Sequence, residues 1–429
     1  MSTFFAKGSP KTRITPDDMR DALQAAVEHA GDTSRTLVLP PDASRAHSGA
    51  GTLTAMLYDM LGDADAFHVM PALGTHFPMS ADALRRMFGD AIPLDSFKEH
   101  RWRDELVRLG EVPAEYVHRV SDGVLRDEMP DYSVPVEISR HVADGGYGAI
   151  FSIGQVVPHE VVGMANGVKN VLVGAGGQET IHKTHFLGAA YGMERIMGRA
   201  QTPVRDVLDY GHRHYLASRG IIYVLTVIGQ DEGDSPVMRG IYSGDDLQTF
   251  LQAARLSRQV NVTLLDEAPQ RVVAYLDPEE FQSTWLGNKG IYRSRMAIAD
   301  GGTLTVIAPA VRTFGEDPEI DRLIRRHGYR GTPATFRAIA EDEELRGNLS
   351  AAAHLIHGSS EGRFRIAYAT DPDRLSREEV EGVGFEWMDV SEAIERYRPE
   401  ERAEGPCGDY YFIRRPALGL WALREKFSE

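Results

Sequence analysis

A single cysteine, Cys407, stands in 429 residues. One thiol excludes an intrachain disulfide, a cysteine-rich zinc site and a cysteine-ligated iron–sulfur cluster, and it fits a reducing compartment. Long apolar runs are missing as well: no stretch approaches the roughly 18 consecutive apolar residues of a membrane-spanning helix. Positive charge is short, with 47 Lys and Arg against 63 Asp and Glu and a net charge of −16. That surplus would repel a phosphate backbone or an anionic bilayer from most of the surface, so neither nucleic acid nor membrane is expected as a partner. The first residues, MSTFFAKGSPKTRITPDDMRDAL, lack the apolar core of a secretory signal, and a cytoplasmic protein is expected.

Hydrophobic residues make up 42% and charged residues 26%, the proportions of a folded globular chain. At roughly 150 residues per domain the length allows two or three domains. Strand-like apolar runs alternate with helical stretches throughout, which predicts an α/β fold with parallel-sheet character. Strands are expected at 36–40, 67–72, 149–157, 170–173, 221–228 and 260–265, and helices at 51–61, 81–88, 178–197 and 244–258. A second series has strands at 272–276, 303–308, 364–369 and 385–389. Its helices are expected at 318–327 behind Asp317, at 333–342 behind Thr332, and at 390–397. A polar segment at 266–271 places the boundary near 270, giving domains 1–270 and 271–429 with an active-site cleft expected between them.

Ligands of open parallel sheets bind beyond the carboxyl ends of the strands. Three such ends carry chemistry: Asp42, Ser44 and Arg45 after the first strand, Gly74 and His76 after the second, and His159 after the third. Gly174-Ala175-Gly176-Gly177 opens a helix, but Glu179 replaces the third glycine of a dinucleotide fingerprint. The run Gly163 to Lys169 is one residue short of a P-loop and lacks its Ser/Thr. What survives is a glycine-rich turn suited either to a phosphate or to tight strand–helix packing. His182 and His185 share one helix face without the H-E-x-x-H pattern, so a zinc would need a distant third ligand. A single imidazole would equally serve a metal held mainly by a cofactor.

Together these residues resemble the nickel-pincer nucleotide-dependent lactate racemase family, the 2-hydroxy-acid racemases and epimerases. The matching pieces are Asp42-Ala43-Ser44-Arg45, Gly74-Thr75-His76, Pro158-His159, Lys169 and His185, with Lys289 in TWLGNKG and the run from Ala299 to Gly302 in the second half. The resemblance implies two α/β domains and a pyridinium mononucleotide whose two sulfur arms and ring carbon hold nickel. It implies Lys169 as the covalent attachment point, His185 as nickel ligand, and His76 and His159 as the acid/base pair. Asp42, Ser44, Arg45 and Trp285 would line the cofactor, and Arg45 and Lys289 would bind the substrate carboxylate. Cofactor-maturation enzymes are implied as partners. Where the family's best-known members carry Tyr-Gln ahead of that lysine, this chain has Trp285-Leu286. His182 has no counterpart role.

The implied chemistry is coherent. Oxidising a 2-hydroxy acid by hydride loss avoids a carbanion, and protein side chains supply no hydride acceptor, so a cofactor must. Hydride loss must be coupled to removal of the hydroxyl proton, and the keto acid that presents its other face moves its oxygen across the pocket, so a base is needed on each side; two histidines with an ordinary pKa of about 6.5 meet that need. Trp285-Leu286 favours a short aliphatic side chain, lactate first, with malate next and phenyllactate or a sugar acid after it. Two other classes stay open: a zinc-dependent hydrolase using His182, His185 and a distant carboxylate, and a non-catalytic cofactor carrier.

Overall fold

The computed structural model describes residues 2–62, 66–231 and 235–427. The chain divides into two compact units. The first comprises Met1–Leu187 and Ile196–Asn261, and the second comprises Gly188–Arg195 and Val262–Glu429. The sequence-based boundary near 270 compares with a passage at Asn261/Val262, and the sequence gives no sign that the short stretch Gly188–Arg195 groups with the second unit.

The first unit is built on a six-stranded sheet, ordered Thr3–Gly8, Pro236–Gly244, Ile221–Gln230, Ala149–Gln155, Thr36–Leu39, Phe67–Val69. The last four strands are mutually parallel, and the first two join antiparallel at one edge. From Thr36–Leu39 the chain moves outward to Phe67–Val69, and its next strand in the sheet, Ala149–Gln155, lies on the opposite side of Thr36–Leu39. That reversal creates a switch point at the carboxyl ends of the two central strands, the place where such sheets bind ligands. Helices Pro16–Ala30 and Ala50–Leu61 bury Ala22, Leu23, Ala26, Leu53 and Leu57 against Val38, Phe151, Ile153 and Val224 on one face. The first of these helices starts at a capping box between Thr15 and Asp18 with Pro16 in its first turn.

The second unit has its own six-stranded sheet, ordered Glu386–Asp389, Arg365–Thr370, Thr303–Ala308, Arg271–Tyr275, Tyr410–Ile413, Gly405–Cys407, parallel except at its last strand. Helix Val390–Tyr397 packs Val390, Ala393 and Tyr397 over Val273, Ile307, Ala369 and Phe412. The expected α/β class with parallel sheets is what the chain adopts. One local expectation is corrected: residues 170–173 are not a strand, because Val168–Leu172 is a short helix. Among the described residues no helix is long and apolar enough to cross a membrane.

Candidate active site

Prolines end the first central strand. Pro40 and Pro41 offer no N–H to the sheet, and beyond Leu39 only an isolated bridge of Pro41 to Ala72, with Pro40 O accepting the Ala72 N–H at 2.7 Å, continues the pairing. Asp42 then caps the 3-10 helix Ala43–Ser48. Its carboxylate accepts the Ser44 N–H at 3.1 Å and the Ser44 hydroxyl at 2.5 Å, and its second oxygen meets His76 Nδ1 at 2.5 Å. His76 comes from the neighbouring strand end, where Gly74 turns the chain at φ +59° and donates its N–H to Gly174 O at 2.9 Å. Asp42 is buried, whereas the His76 side chain is 55% exposed. Burial works against the Asp42 charge, yet the hydrogen bond and charge of His76, then Ser44 and Arg45, outweigh it and hold the carboxyl below its usual range. Facing a carboxylate, His76 Nδ1 is the donor, so its Nε2 lone pair is left to take a proton.

The strand Ala149–Gln155 leads into Pro158–His159, which pairs antiparallel with Gly163–Met164. His159 is buried, and its Nδ1 accepts the Val161 N–H at 3.1 Å. Burial pushes its pKa well below the usual range, opposed by Glu160 and reinforced by Lys169, Arg45 and His185. Lys169 follows a tight turn in which Asn166 and Gly167 both take left-handed φ values, 67° and 60°. Asn170 donates from Nδ2 to Leu39 O at 2.9 Å and to Ser152 Oγ at 3.0 Å, pinning the lysine's helix to the two central strands at their switch point. Arg205, fully buried, donates to Met164 O at 2.6 Å and Asn166 O at 3.1 Å and so holds the turn from below. The half-buried Lys169 amine makes no hydrogen bond or ion pair among the described residues. Its pKa is pushed down to about 8, by burial first and then by Arg45, with Glu160 and Asp42 opposing and Arg205 adding to the effect.

His185 lies on helix Gln178–Tyr191 and meets Ile181 O through Nδ1 at 2.7 Å. A carbonyl only accepts, so the proton sits on Nδ1 and Nε2 presents a lone pair, the usual preparation of a metal-ligating imidazole. Burial, then Lys169, lowers the His185 pKa to about 4 against the Ile181 bond and Glu160, with His182 adding, so the ring is neutral at pH 7. His182 is neutral for similar reasons, burial and Arg103. Among the described residues no group of three or more His, Cys, Asp or Glu is placed to hold a metal. One prepared imidazole beside an unbonded lysine fits a metal that arrives within its own ligand frame, and does not fit a zinc held by protein side chains alone.

The glycine-rich turn is not a phosphate cradle. The N–H groups of Gly174, Ala175, Gly176 and Gly177 donate to Lys169 O, Val171 O, Val173 O and Glu137 O. Glycine is needed for proximity: a Cβ at Gly174 would stand 2.3 Å from Asn170 O, and one at Gly176 1.9 Å from Leu172 O. In the second unit, Trp285 lies on helix Thr284–Gly287 with its ring 4.3 Å from that of His354, and Lys289 Nζ lies 3.7 Å from Glu280 Oε1. Sequence reading missed Asn170, Arg205 and Gln155. The carboxamide of Gln155 is buried beside the switch point with its Oε1 unbonded. A polar residue closing an otherwise apolar strand was its only signal.

Residues 20–195 match the model of the lactate racemase N-terminal domain. No curated protein matches the sequence. Among solved structures, a protein from Thermotoga maritima superposes with a TM-score of 0.81 at 23% identity, over 96% of this chain and 99% of that one. The lactate racemase apoprotein from Thermoanaerobacterium thermosaccharolyticum superposes at 0.70 and 15% identity, over 97% and 93%. At these identities the likeness speaks for the fold.

Proposed function

On the premise that the chain belongs to the lactate racemase family, through the match over residues 20–195, we propose that it inverts short-chain 2-hydroxy acids, lactate first, as a nickel-dependent racemase of the cytoplasm. The observation that supports this reading best is the pairing of the prepared His185 Nε2 with the unbonded, partly deprotonated Lys169, whose charge acts on His185 directly. Lys169 would attach the nickel-pincer pyridinium nucleotide covalently, His185 would ligate its nickel, and Asp42, Ser44, Arg45 and Trp285 would line it. When bound, that group supplies the hydride acceptor that side chains lack.

The chain's own residues supply the rest. Arg45, half-buried at the switch point, offers a planar guanidinium to the substrate carboxylate, and Lys289 is assigned to the same anion. His76 Nε2 takes the hydroxyl proton, while Asp42 fixes the ring's tautomer and stabilises the imidazolium formed. His159 is assigned as the second acid/base group, on the opposite side of the substrate from His76. Maturation enzymes that build the cofactor are the partners this reading requires. Protein matured alongside those enzymes, incubated with each single enantiomer of a set of 2-hydroxy acids and resolved by chiral chromatography, tests the reading. Appearance of the opposite enantiomer supports it, and cofactor-loaded protein that isomerises none of them overturns it.

A further inference from the structure

Between His159 and Lys169 the chain carries a polar side chain with no role assigned so far, Asn166. Its backbone is left-handed at φ 67°, a conformation that glycine takes most easily and asparagine next. The residue is only 5% exposed. Glycine would fit the same backbone without burying any polar side chain, so the carboxamide calls for a reason. Part of the reason is local: Oδ1 accepts the Gly167 N–H at 2.8 Å, which turns the oxygen toward the chain and the NH2 group away from it. Nδ2 is a different matter. Among the described residues it donates to nothing, and a buried donor without an acceptor costs free energy.

The surroundings hold this amide in one place. Arg205 Nη1 donates to the Asn166 carbonyl at 3.1 Å and Nη2 to Met164 O at 2.6 Å, while its guanidinium stands 4.1 Å from the centre of the Phe250 ring. The Ala165 N–H is bonded to Val157 O at 2.8 Å. On the far side Nδ2 lies over the backbone of Gly154. A Cβ there would stand 2.5 Å from Nδ2 and 3.2 Å from Pro41 Cδ, so the absence of a side chain at Gly154 is what admits the amide. Gly154 and Pro41 belong to the ends of the two central strands, where the sheet order reverses. The unbonded N–H groups therefore stand at the switch point, in the same turn as Lys169.

We propose that Asn166 is a binding residue for the pyridinium nucleotide, donating from Nδ2 to an acceptor atom of that group. The inference rests on Lys169 as the attachment point. A role in the turn alone accounts for Oδ1 and for the left-handed backbone but leaves Nδ2 idle. A mononucleotide carries many acceptors, on its phosphate, its sugar and its ring substituents. A neutral donor suits the place, because Arg45 and Arg205 already set positive charge around Lys169.

Asn166→Gly removes the carboxamide from a backbone that glycine adopts without strain. In the cofactor-free variant an amine-reactive label should modify Lys169 at the parent's rate, since Arg205 and Asn170 still hold the turn. Variant and isotopically labelled parent, mixed in equal amounts with the maturation enzymes and limiting cofactor, should then differ in intact mass: the variant should carry roughly two- to tenfold less adduct, the loss of one neutral hydrogen bond. Equal shares of adduct overturn the proposal, and so does a deficit matched by an equal slowing of the label, because Asn166 would then act through the turn. A second readout needs no folded variant. In NMR spectra of the parent, one carboxamide proton of Asn166 should shift downfield and exchange more slowly with water on loading, and signals that do not change overturn the proposal. A parent chain that takes up no adduct overturns the attachment at Lys169 and this proposal with it, whereas the other outcomes leave that attachment in place.

Discussion

Lys169 and His185 are both pushed toward their neutral forms by the same crowded surroundings, and each becomes useful for it. A lysine depressed to about pH 8 holds an appreciable free amine at neutrality, which covalent attachment needs. Its sign in stability is the reverse of a salt-bridged lysine. The unfolded chain holds more protons between about 8 and the ordinary 10.4, so this group adds stability as pH rises through that window. An amine-reactive label read by peptide mass spectrometry should therefore modify Lys169 with a midpoint near pH 8, and Lys169→Ala should show no cofactor adduct by intact mass. An adduct persisting on that variant would remove Lys169 from its role. His185→Ala should lose nickel by elemental analysis while the adduct at Lys169 survives, and loss of nickel in His182→Ala alone would mean that the other imidazole is the ligand. His76→Ala should slow both directions of isomerisation by roughly 10²–10⁴-fold, the range of a general base. Turnover of either enantiomer at the parent rate would refute that role.

At the scale of elements, what was legible in the sequence was whatever is specified locally. Helix Pro318–His327 was legible because Asp317 caps it, through bonds to the N–H groups of Glu319 and Ile320, and Pro318 opens it. Strand Thr303–Ala308 was legible as a continuous apolar run of a buried parallel sheet. The three strand ends bearing Asp42, His76 and His159 followed from the same logic. The run 170–173 misled because a short apolar stretch has no period to separate a strand from a buried helix. Its helical form is set by tertiary bonds, Asn170 to Leu39 and Ser152, that no local pattern encodes. The edge strand Thr3–Gly8 was missed because its half-exposed residues dilute the signal, and Pro236–Gly244, mostly buried beside it, because Pro236, Arg239, Ser243 and two glycines break up its apolar run. The turn at 174–177 was legible as glycine-rich but not as to purpose. Because those glycines serve packing, Gly176→Ala should lower the unfolding temperature of the cofactor-free protein, at an overpacking cost of about 1–3 kcal/mol. Calorimetry on that protein measures it, and an unchanged melting temperature together with weaker cofactor retention would restore the phosphate role.

For the whole molecule the question is what it accepts. Leu286 offers no polar partner and Trp285 only one indole N–H, and a second substrate carboxylate or hydroxyl buried there with bonds unmade costs roughly 1–3 kcal/mol per unsatisfied group. Of the arginines that follow, Arg295 is committed to the fold, binding Glu194 at 3.2 Å and the carbonyls of His357 and Ser359, and Arg293 is buried. Lactate and 2-hydroxybutyrate should therefore exceed malate in kcat/KM, and a preference for malate would overturn this pocket argument while leaving the racemase reading in place.

The grouping of Gly188–Arg195 with the second unit bears on how the chain can be dissected. A fragment that begins at Val262 holds every strand of the second sheet, yet it lacks Glu194, the carboxylate that meets buried Arg295 and also Arg363. Stripping a buried guanidinium of its counter-charge costs about 3–5 kcal/mol, a large part of a domain's net stability. The second unit is therefore discontinuous in sequence, and a single cut at the Asn261/Val262 passage leaves its counter-charge behind in the other piece.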